Sequence, residues 1–170
     1  MNILEVMKEY KVDKLVFSSS AAVYGEVTEN PVREDSPLNP ANPYGESKLM
    51  MEKMCKWFDH AYGIRYVALR YFNAAGAWPG GELGVDRENE TLLIPVTLET
   101  AQGKRDEVLV FGDDYDTKDG SGVRDYIHVY DLASAHYLAL KYLEEGNKSD
   151  IFNLGNGTGQ SGLEVIDTAR

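Results

Sequence analysis

The chain has 170 residues, 43% of them hydrophobic and 26% charged, which is enough for a globular domain with a buried core. Its net charge of −11 disfavours nonspecific nucleic-acid binding, although it leaves room for a local cationic site for phosphate. A single cysteine, Cys55, excludes an intrachain disulfide and favours a reducing, cytoplasmic compartment, and no apolar run approaches the roughly 20 residues of a membrane span.

Helix and strand patterns alternate along the chain. The predicted elements, in chain order, are a helix at 2–10, a strand at 14–20, a helix at 44–62, a strand at 65–72, a helix at 91–102, strands at 107–112 and at 123–129, a helix at 131–145 with Asp131 as its N-cap, a strand at 150–154 and a helix from about 161. This order predicts an α/β fold with a largely parallel sheet. Because both chain ends fall inside helices, we expect an internal piece of a longer protein.

The pattern Tyr-x-x-x-Lys occurs three times, at Tyr10–Lys14, Tyr44–Lys48 and Tyr137–Lys141, so the spacing alone is uninformative. Only Tyr44 follows a proline at a helix start, after a long loop that leaves a strand ending in "SSS". Ligands of open α/β sheets bind outside the carboxyl ends of the strands. Ser20, Tyr44 and Lys48 are therefore expected to converge, although a solvated helix face stays open as the alternative.

A tyrosine beside a lysine at such a site suggests proton transfer. Free tyrosine has a pKa of about 10 and is a poor base at neutral pH. A neighbouring ammonium favours the phenolate, and a cationic nicotinamide ring favours it further. In this interpretation Ser20 holds a substrate hydroxyl while Tyr44 removes its proton.

Five motifs occur in order: "VFSSSAAVYG", "NPYGESK", "ALRYFNAAGA", "VLVFGDDYDTKDGSGVRDYIHVYDLA" and "IFNLGNGTGQS". Together they resemble the UDP-glucose 4-epimerase family of extended short-chain dehydrogenases/reductases, over essentially the whole chain. The "YGxSK" piece is shared with many nucleotide-sugar enzymes, whereas the fourth motif is much narrower. The resemblance implies a partial Rossmann-like, doubly wound parallel sheet with part of a smaller substrate-binding domain.

The resemblance also implies roles for particular residues. Tyr44 matches the catalytic base, Lys48 its partner and a ligand of the nicotinamide ribose of NAD, and Ser20 the hydroxyl that bridges substrate and tyrosine. Phe72 is expected beside NAD. Tyr71 next to it either faces the cofactor as well or belongs to the core. Around the nucleotide sugar the resemblance places Asn73 at the diphosphate, Leu93 and Phe111 at the nucleotide, and Arg124 at a phosphate, which suits its planar two-donor fork.

The implied reaction interconverts UDP-glucose and UDP-galactose in galactose metabolism. Hydride passes from sugar C4 to NAD, the 4-keto sugar rotates in the site, and hydride returns to the opposite face of C4. Full-length family members commonly form homodimers. The implied segments are 1–73 as the C-terminal half of the NAD-binding Rossmann domain, 74–122 as a substrate-binding segment, 123–146 as a return to the Rossmann domain, and 147–170 as a truncated substrate-side segment.

Departures from the family pattern limit these expectations. The family's N-terminal Gly-rich turn has no counterpart, and Leu92 stands where asparagine or histidine is usual. We therefore expect that this chain alone neither holds NAD tightly nor turns substrate over. A related epimerase or dehydratase is one alternative, although Ala21 and Ala22 after Ser20 disfavour a 4,6-dehydratase. A non-catalytic chain that binds nucleotide sugar is another.

Two further motifs are interpreted as loops. "GTGQSG", at 157–162, matches the dinucleotide pattern G-x-G-x-x-G, but the resemblance places it on the substrate side. "DDYDTKDGSG" lacks the third oxygen ligand and the final glutamate of a calcium loop. No metal site is predicted.

Overall fold

A computed structural model of the chain describes residues 1–27 and 30–170, so residues 28 and 29 of the predicted loop lie outside the described residues. The chain divides into two compact units. Unit 1 comprises Met1–Phe72 and Tyr130–Leu154, and unit 2 comprises Asn73–Val129 and Gly155–Arg170.

Helices and strands alternate along the chain, as the sequence predicts. Their bounds are α1 (Asn2–Glu9), β1 (Lys14–Ser20), a 3-10 turn (Ala21–Val23), α2 (Pro43–Tyr62), β2 (Arg65–Tyr71), β3 (Asn73–Ala75), α3 (Leu93–Ala101), β4 (Val123–His128), α4 (Val129–Glu144), β5 (Asp150–Leu154), β6 (Gly159–Ser161) and α5 (Gly162–Thr168). Within the described ranges, no helix combines the length and apolar character that crossing a bilayer requires.

A three-stranded parallel sheet forms the centre of unit 1, in the order β1-β2-β5. β1 and β2 pair along their whole length, from Lys14 opposite Arg65 to Ser20 opposite Tyr71. Residues 66–70 of the central strand β2 are all buried, which is typical of a parallel strand covered on both faces. The carboxyl ends of β1 and β2 therefore meet at one edge of the sheet.

Helices cover both faces of this sheet. On one face, α1, α2 and β2 contribute to an apolar cluster whose buried members are Leu4, Met7, Cys55, Phe58, Ile64, Tyr66 and Ala68. On the other face, Ala139 and Leu143 of α4 pack against Val67 and Leu69 of β2. Each fully buried valine, leucine, isoleucine, phenylalanine or methionine side chain contributes roughly 1.5–3 kcal/mol. Helices on two faces of a parallel sheet confirm the predicted doubly wound α/β class.

Helix α2 begins and ends at residues with clear local causes. The Asn42 side chain accepts a hydrogen bond from the N–H of Gly45 at 2.9 Å, and Pro43 occupies the first turn. Gly63, with φ of 71°, ends the helix in the left-handed conformation that glycine adopts without steric cost. These caps fix which residues occupy the first two turns of α2, where the predicted Tyr-x-x-x-Lys pair lies.

Unit 2 is built from short elements. β4 pairs in parallel with β3 and antiparallel with β6, over three residues in each case. α5 begins with a capping box, in which Ser161 Oγ accepts from the N–H of Glu164 while the Glu164 carboxylate accepts from the N–H of Ser161. The sequence analysis did not predict β3 or β6, because three-residue strands are too short to show a periodic pattern.

The strand predicted at 107–112 is wrong. These residues lie outside any helix or strand, and Phe111 is 87% exposed. The apolar run "VLVF" resembles a strand, but a strand needs a neighbour that accepts its backbone hydrogen bonds. In unit 2, β3, β4 and β6 pair with one another, and the side chains of 109–111 line a cavity instead.

The start of α4 also differs from the prediction. The helix begins at Val129, directly after β4, so Asp131 lies within the first turn and is not the N-cap. A carboxylate there still interacts favourably with the positive end of the helix dipole.

The boundaries between the two units fall at Phe72, Val129 and Leu154, whereas the sequence analysis ended its segments at 73, 122 and 146. β5 pairs with β2 and so lies in unit 1, while β4 pairs with β3 and β6 and lies in unit 2. Strand pairing therefore decides which unit each segment joins.

Candidate active site

Tyr44 lies in the first turn of α2, directly after Pro43. Its side chain is 56% exposed, so the phenol faces solvent at the end of the helix. The other tyrosines of the three Tyr-x-x-x-Lys pairs do not share this position, because Tyr10 follows α1 and Tyr137 lies in the middle of α4. Position along the helix distinguishes Tyr44 from the other two, but burial does not: Tyr137, which the sequence suggests is part of the core, is 59% exposed.

Lys48 lies one helical turn after Tyr44 and connects α2 to the end of β1. Its Nζ donates a hydrogen bond to the Ser18 carbonyl oxygen at 2.9 Å. The same Nζ lies 5.4 Å from the centroid of the Tyr44 ring and 5.4 Å from that of Phe17. The ammonium group is thus held between the strand end and the phenol, within the range of a cation–π contact.

Ser20 is the last residue of β1 and the N-cap of the 3-10 turn that follows. Its Oγ accepts a hydrogen bond from the N–H of Ala22 at 3.2 Å. The start of α2 packs directly on this turn, because a Cβ placed on Gly45 would overlap the Ala22 carbonyl oxygen. Ser20 and Tyr44 therefore lie on two segments in close backbone contact.

A buried charged cluster lies beneath these residues. Glu52 of α2 accepts a hydrogen bond from Ser19 Oγ at 2.5 Å and a bidentate pair from Arg70, at 3.0 Å from Nε and 2.6 Å from Nη2. Ser19 and Arg70 are 1% exposed and Glu52 is 4% exposed. Burial disfavours the charged guanidinium, but its bonds to Glu52 and Tyr24 outweigh this and raise the pKa of Arg70.

The cluster continues from Arg70 into the loop between β1 and α2. Arg70 Nη1 donates to the Tyr24 hydroxyl at 2.8 Å and to the Glu34 carbonyl at 3.2 Å. The Tyr24 hydroxyl donates in turn to Asn153 Oδ1 of β5 at 2.6 Å. Burial raises the pKa of Tyr24, although the hydrogen bond from Arg70 acts in the opposite direction. One network therefore ties α2, the loop and all three strands of unit 1 together.

His136 of α4 contacts the strand end from the other face of the sheet. Its Nδ1 lies 2.7 Å from the Leu132 carbonyl oxygen, which can only accept, so Nδ1 carries the proton. Its Nε2 lies 3.2 Å from Ser18 Oγ, and its ring packs against that of Tyr71 with centroids 5.9 Å apart. The structure thus places Tyr71, a candidate neighbour of the cofactor, half-buried against this imidazole.

Phe72 and Asn73 lie on either side of the boundary between the units. In unit 1, the N–H of Phe72 donates to the Leu154 carbonyl at 3.1 Å, which extends the pairing of β2 with β5. In unit 2, the Asn73 side-chain amide donates to the Asp125 carbonyl at 2.8 Å. The Asn73 amide therefore holds β3 against β4 as well as facing a cavity.

A cavity of about 790 Å³ lies within unit 2, a volume in the range of small-molecule sites. All four residues of unit 2 that were predicted to contact substrate line it: Asn73, Leu93, Phe111 and Arg124. Leu92, which departs from the family pattern, lines it too. The structure therefore groups the predicted site residues into two sets, one in each unit.

Carboxylates fix the backbone of the loops around this cavity. Glu90 accepts from the N–H groups of Thr91 and Leu92, both at 2.8 Å, and the bond from Leu92 is the largest cause of its lowered pKa. Asp125 accepts from two successive N–H groups of the loop at 156–157, both at 2.8 Å. These side chains hold irregular segments that have few backbone partners of their own.

Asp119 joins the long loop of unit 2 to α5. Its carboxylate accepts from the Oγ of Ser161, from the N–H of Ser121 at 2.9 Å and from the Oγ of Ser121 at 2.8 Å. The bond from Ser161, followed by those from Ser121, lowers the pKa of Asp119. The motif "DGSG" thus serves as a loop anchor.

The sequence analysis did not select Ser19, Glu52 or Arg70, although two signals point to them. Glu52 continues the four-residue spacing of Tyr44 and Lys48 along α2. Arg70 is a charge inside the otherwise apolar strand end "YVALRYF". A charge at a buried position usually needs a partner, so the two could have been paired.

The groups at the end of β1 suit the polar part of a dinucleotide. The Lys48 ammonium has three N–H donors, and the Ser18 carbonyl accepts one of them. The exposed phenol of Tyr44 lies beside it. A cation and a phenol at the carboxyl end of a parallel strand fit the ribose and nicotinamide of NAD, which bind at this edge in doubly wound sheets.

A doubly wound parallel sheet with a Tyr-x-x-x-Lys pair at its carboxyl edge defines the class of short-chain dehydrogenase/reductase-like proteins. Residues 1–155 match the family model of the NAD dependent epimerase/dehydratase family. The chain belongs to this family.

Known proteins similar to the chain include the UDP-glucose 4-epimerase of Streptococcus mutans, which is 56% identical over all 170 residues. The crystal structure of the UDP-glucose 4-epimerase of Brucella ovis in complex with NAD has a TM-score of 0.94 and 46% identity, over 98% of this chain and 51% of that one. That of Bifidobacterium longum, in complex with NAD+ and UDP, has a TM-score of 0.88 and 45% identity, over 97% of this chain and 50% of that one. The chain spans about half the length of the curated relatives it matches, 51% for the Streptococcus mutans protein.

Proposed function

We propose that the chain carries the catalytic residues of an NAD-dependent UDP-glucose 4-epimerase, which interconverts UDP-glucose and UDP-galactose. The observation that carries this proposal is the Tyr44–Lys48 pair, with the Lys48 ammonium held at the Ser18 carbonyl and 5.4 Å from the phenol ring. The names of the relatives support the choice of substrate. Membership of the family supports the cofactor.

Tyr44 acts as the base in this proposal. It removes the proton of the sugar 4-hydroxyl, and the adjacent Lys48 ammonium stabilises the negative phenolate that accepts it. Ser20, at the end of β1, forms a hydrogen bond with the same sugar hydroxyl and so orients it toward Tyr44. When bound, NAD supplies the hydride acceptor for sugar C4 and then the donor that returns hydride to the opposite face.

Unit 2 binds the nucleotide in this proposal. Arg124 donates two parallel hydrogen bonds to a phosphate, a role that the guanidinium fork suits, and Asn73 lies in the same cavity for the diphosphate. Leu93 and Phe111 pack against the base and ribose. Leu92 removes one polar contact that the family pattern usually offers.

A chimera tests the catalytic proposal. Because relatives are about twice as long, the matching 170 residues of the Streptococcus mutans protein are replaced by this chain, to which they are 56% identical. We expect the chimera to convert UDP-galactose to UDP-glucose and to bind NAD. Y44F in the chimera should lower kcat by about a hundredfold or more, because the base is lost.

Y137F serves as the matched control, because it removes the same hydroxyl from the Tyr137–Lys141 pair, which has the same spacing and a similar lysine–ring distance of 4.8 Å. It should leave kcat unchanged. A Y44F chimera as active as its parent would contradict the proposal. We also expect the 170-residue chain alone to produce no UDP-glucose, as judged by product chromatography.

A second function, nucleotide-sugar binding without turnover, is favoured by one observation: unit 2 contains its own cavity. Calorimetry with UDP and the chain alone tests it, with R124L as the variant expected to weaken binding. This second function would be favoured if the chain binds UDP while the chimera binds NAD but converts no substrate.

We further propose that the whole protein acts in galactose metabolism in the cytoplasm, as a homodimer. Enzyme assays and light scattering on the chimera would test the assembly.

A further inference from the structure

We propose that the buried cluster of Ser19, Glu52 and Arg70, named here the Glu52 anchor, positions the Tyr44–Lys48 pair for proton transfer. Glu52 and Arg70 are then positioning residues, because they touch neither the phenol nor the ammonium. This inference rests on the proposed function, since it assigns to the anchor the task of holding the proposed base in place.

Helix α2 carries the anchor and the reactive pair on one face. Tyr44, Lys48 and Glu52 follow one another at intervals of four residues, so they lie one above the other along the helix. An α-helix transmits a shift or rotation at one point to the neighbouring turns as a rigid body. Whatever fixes Glu52 therefore also fixes Lys48, one turn away, and Tyr44, two turns away.

The strand side of the anchor leads to the same site. Ser19, which donates to Glu52, lies between Ser18, whose carbonyl accepts from Lys48, and Ser20, the proposed substrate-binding hydroxyl. Arg70, the other ligand of Glu52, lies directly opposite Ser19 on β2. The anchor therefore joins α2 to the three-residue stretch of β1 that the proposed chemistry uses.

Stability alone does not account for the anchor. A buried ion pair is often matched or exceeded in stability by apolar residues of similar volume, because both charges lose their hydration. Apolar contacts, however, are non-directional and allow small slides and rotations of a helix. Three hydrogen bonds of 2.5, 2.6 and 3.0 Å on one carboxylate fix a single rotation and axial position.

The guanidinium is itself held from its other side. Arg70 Nη1 donates to the Tyr24 hydroxyl and to the Glu34 carbonyl, so the fork that binds Glu52 has one orientation. Arg70 in turn fixes the carboxylate, and the carboxylate fixes the helix. Hydrogen bonds therefore fix the orientation of every side chain of the Glu52 anchor that connects the sheet to α2.

The test separates position from stability by NMR on the 170-residue chain labelled with 13C-tyrosine. Y44F assigns the Tyr44 ring signal among the 11 tyrosines, and K48M defines its position without the neighbouring ammonium. The test variant is E52L/R70M, which replaces the anchor with apolar residues of similar length. L143A is the matched control, because Leu143 is fully buried on the opposite face of the sheet.

We expect E52L/R70M to unfold at a urea concentration no lower than the parent, yet to move the Tyr44 signal to the K48M position. L143A should lower the urea midpoint and leave the Tyr44 signal in place. If E52L/R70M leaves that signal at the parent position while K48M moves it, the anchor has no positioning role. If K48M itself leaves the signal unmoved, the Tyr44–Lys48 pairing is wrong, and the proposed function falls with it.

E52Q keeps the test decisive if the double variant does not fold, because glutamine retains the shape of the side chain. In the chain it should move the Tyr44 signal in the same direction as K48M. In the chimera it should lower kcat about tenfold to a hundredfold with KM for UDP-galactose unchanged, since Glu52 contacts no substrate. An unmoved signal with an unchanged kcat would overturn the proposal.

Discussion

The two units hold their candidate functional residues by different means. In unit 1, strands of up to seven residues and a 20-residue helix place Ser20, Tyr44 and Lys48, and a buried ion pair fixes the helix. In unit 2, the longest strand has six residues, and partly exposed loops supply much of the cavity wall. Carboxylates that accept backbone N–H groups hold those loops in place.

This difference suits the two tasks that we propose. Proton transfer needs reacting atoms held within fractions of an ångström, which regular elements and buried directional bonds provide. Nucleotide binding tolerates surface loops, which commonly carry binding residues. The comparison predicts that unit 1 depends on a buried ion pair and unit 2 on carboxylates that accept hydrogen bonds from loop N–H groups.

The largest effect should come from breaking the buried ion pair in unit 1. R70M leaves the Glu52 carboxylate buried without its partner, which typically costs about 3–5 kcal/mol of the free energy of unfolding. Urea denaturation measures the loss, and hydrogen exchange by mass spectrometry assigns it to peptides of unit 1. The E52L/R70M double variant should recover the whole loss, whereas a stable R70M would mean that water reaches Glu52.

The second prediction concerns the close contact between α2 and the 3-10 turn. G45A introduces a Cβ where the Ala22 carbonyl oxygen lies, so backbone must move, at a cost of about 1–3 kcal/mol. The change should lower the thermal midpoint and also the activity of the chimera, because it separates Tyr44 from Ser20. G84A is the control, since its Cβ meets only ordinary contacts.

How well the sequence predicted structure also differs between the units. In unit 1, long elements with clear caps, such as α2 with Asn42 and Gly63, were predicted nearly to their ends. In unit 2, the strand predicted at 107–112 is wrong and β3 was missed, because pairing there depends on which short segment finds a partner. Periodicity cannot report such tertiary choices.

For the candidate site, the sequence supplied the reactive residues but not what holds them. Tyr44 and Lys48 were chosen from their context behind Pro43, and the family motifs added Arg124. The roles of these residues stay predictions. Glu52 and Arg70 were missed because a charge on a helix is usually solvated, and only the sheet register brings Arg70 opposite Ser19.

The third prediction tests unit 1 with alkali. Burial, with a smaller effect of Glu52, raises the pKa of the Cys55 thiol from 9.0 to about 11. Between pH 9 and 11 the unfolded chain therefore loses this proton first, so the free energy of unfolding falls as pH rises, by at most about 2–3 kcal/mol. C55V should flatten this part of the pH profile of the urea midpoint. An unchanged profile would show that the thiol is solvated.

The smallest effect should come from acid on unit 2. The bonds from Ser161 and Ser121 lower the pKa of Asp119, so their stabilisation is complete above the ordinary value of 3.8 and is lost as pH falls below it. Protection factors for amides at 119–122 and 159–162 should therefore fall between pH 5 and pH 3, while those of β2 hold. D119N keeps the shape of the side chain but removes the titrating carboxylate. In this variant the protection of the same amides should be lower at pH 5 than in the parent and should vary less with pH. If β2 amides lose protection first in acid, the contrast between a unit held by a buried ion pair and a unit held by carboxylates that accept loop N–H groups is wrong.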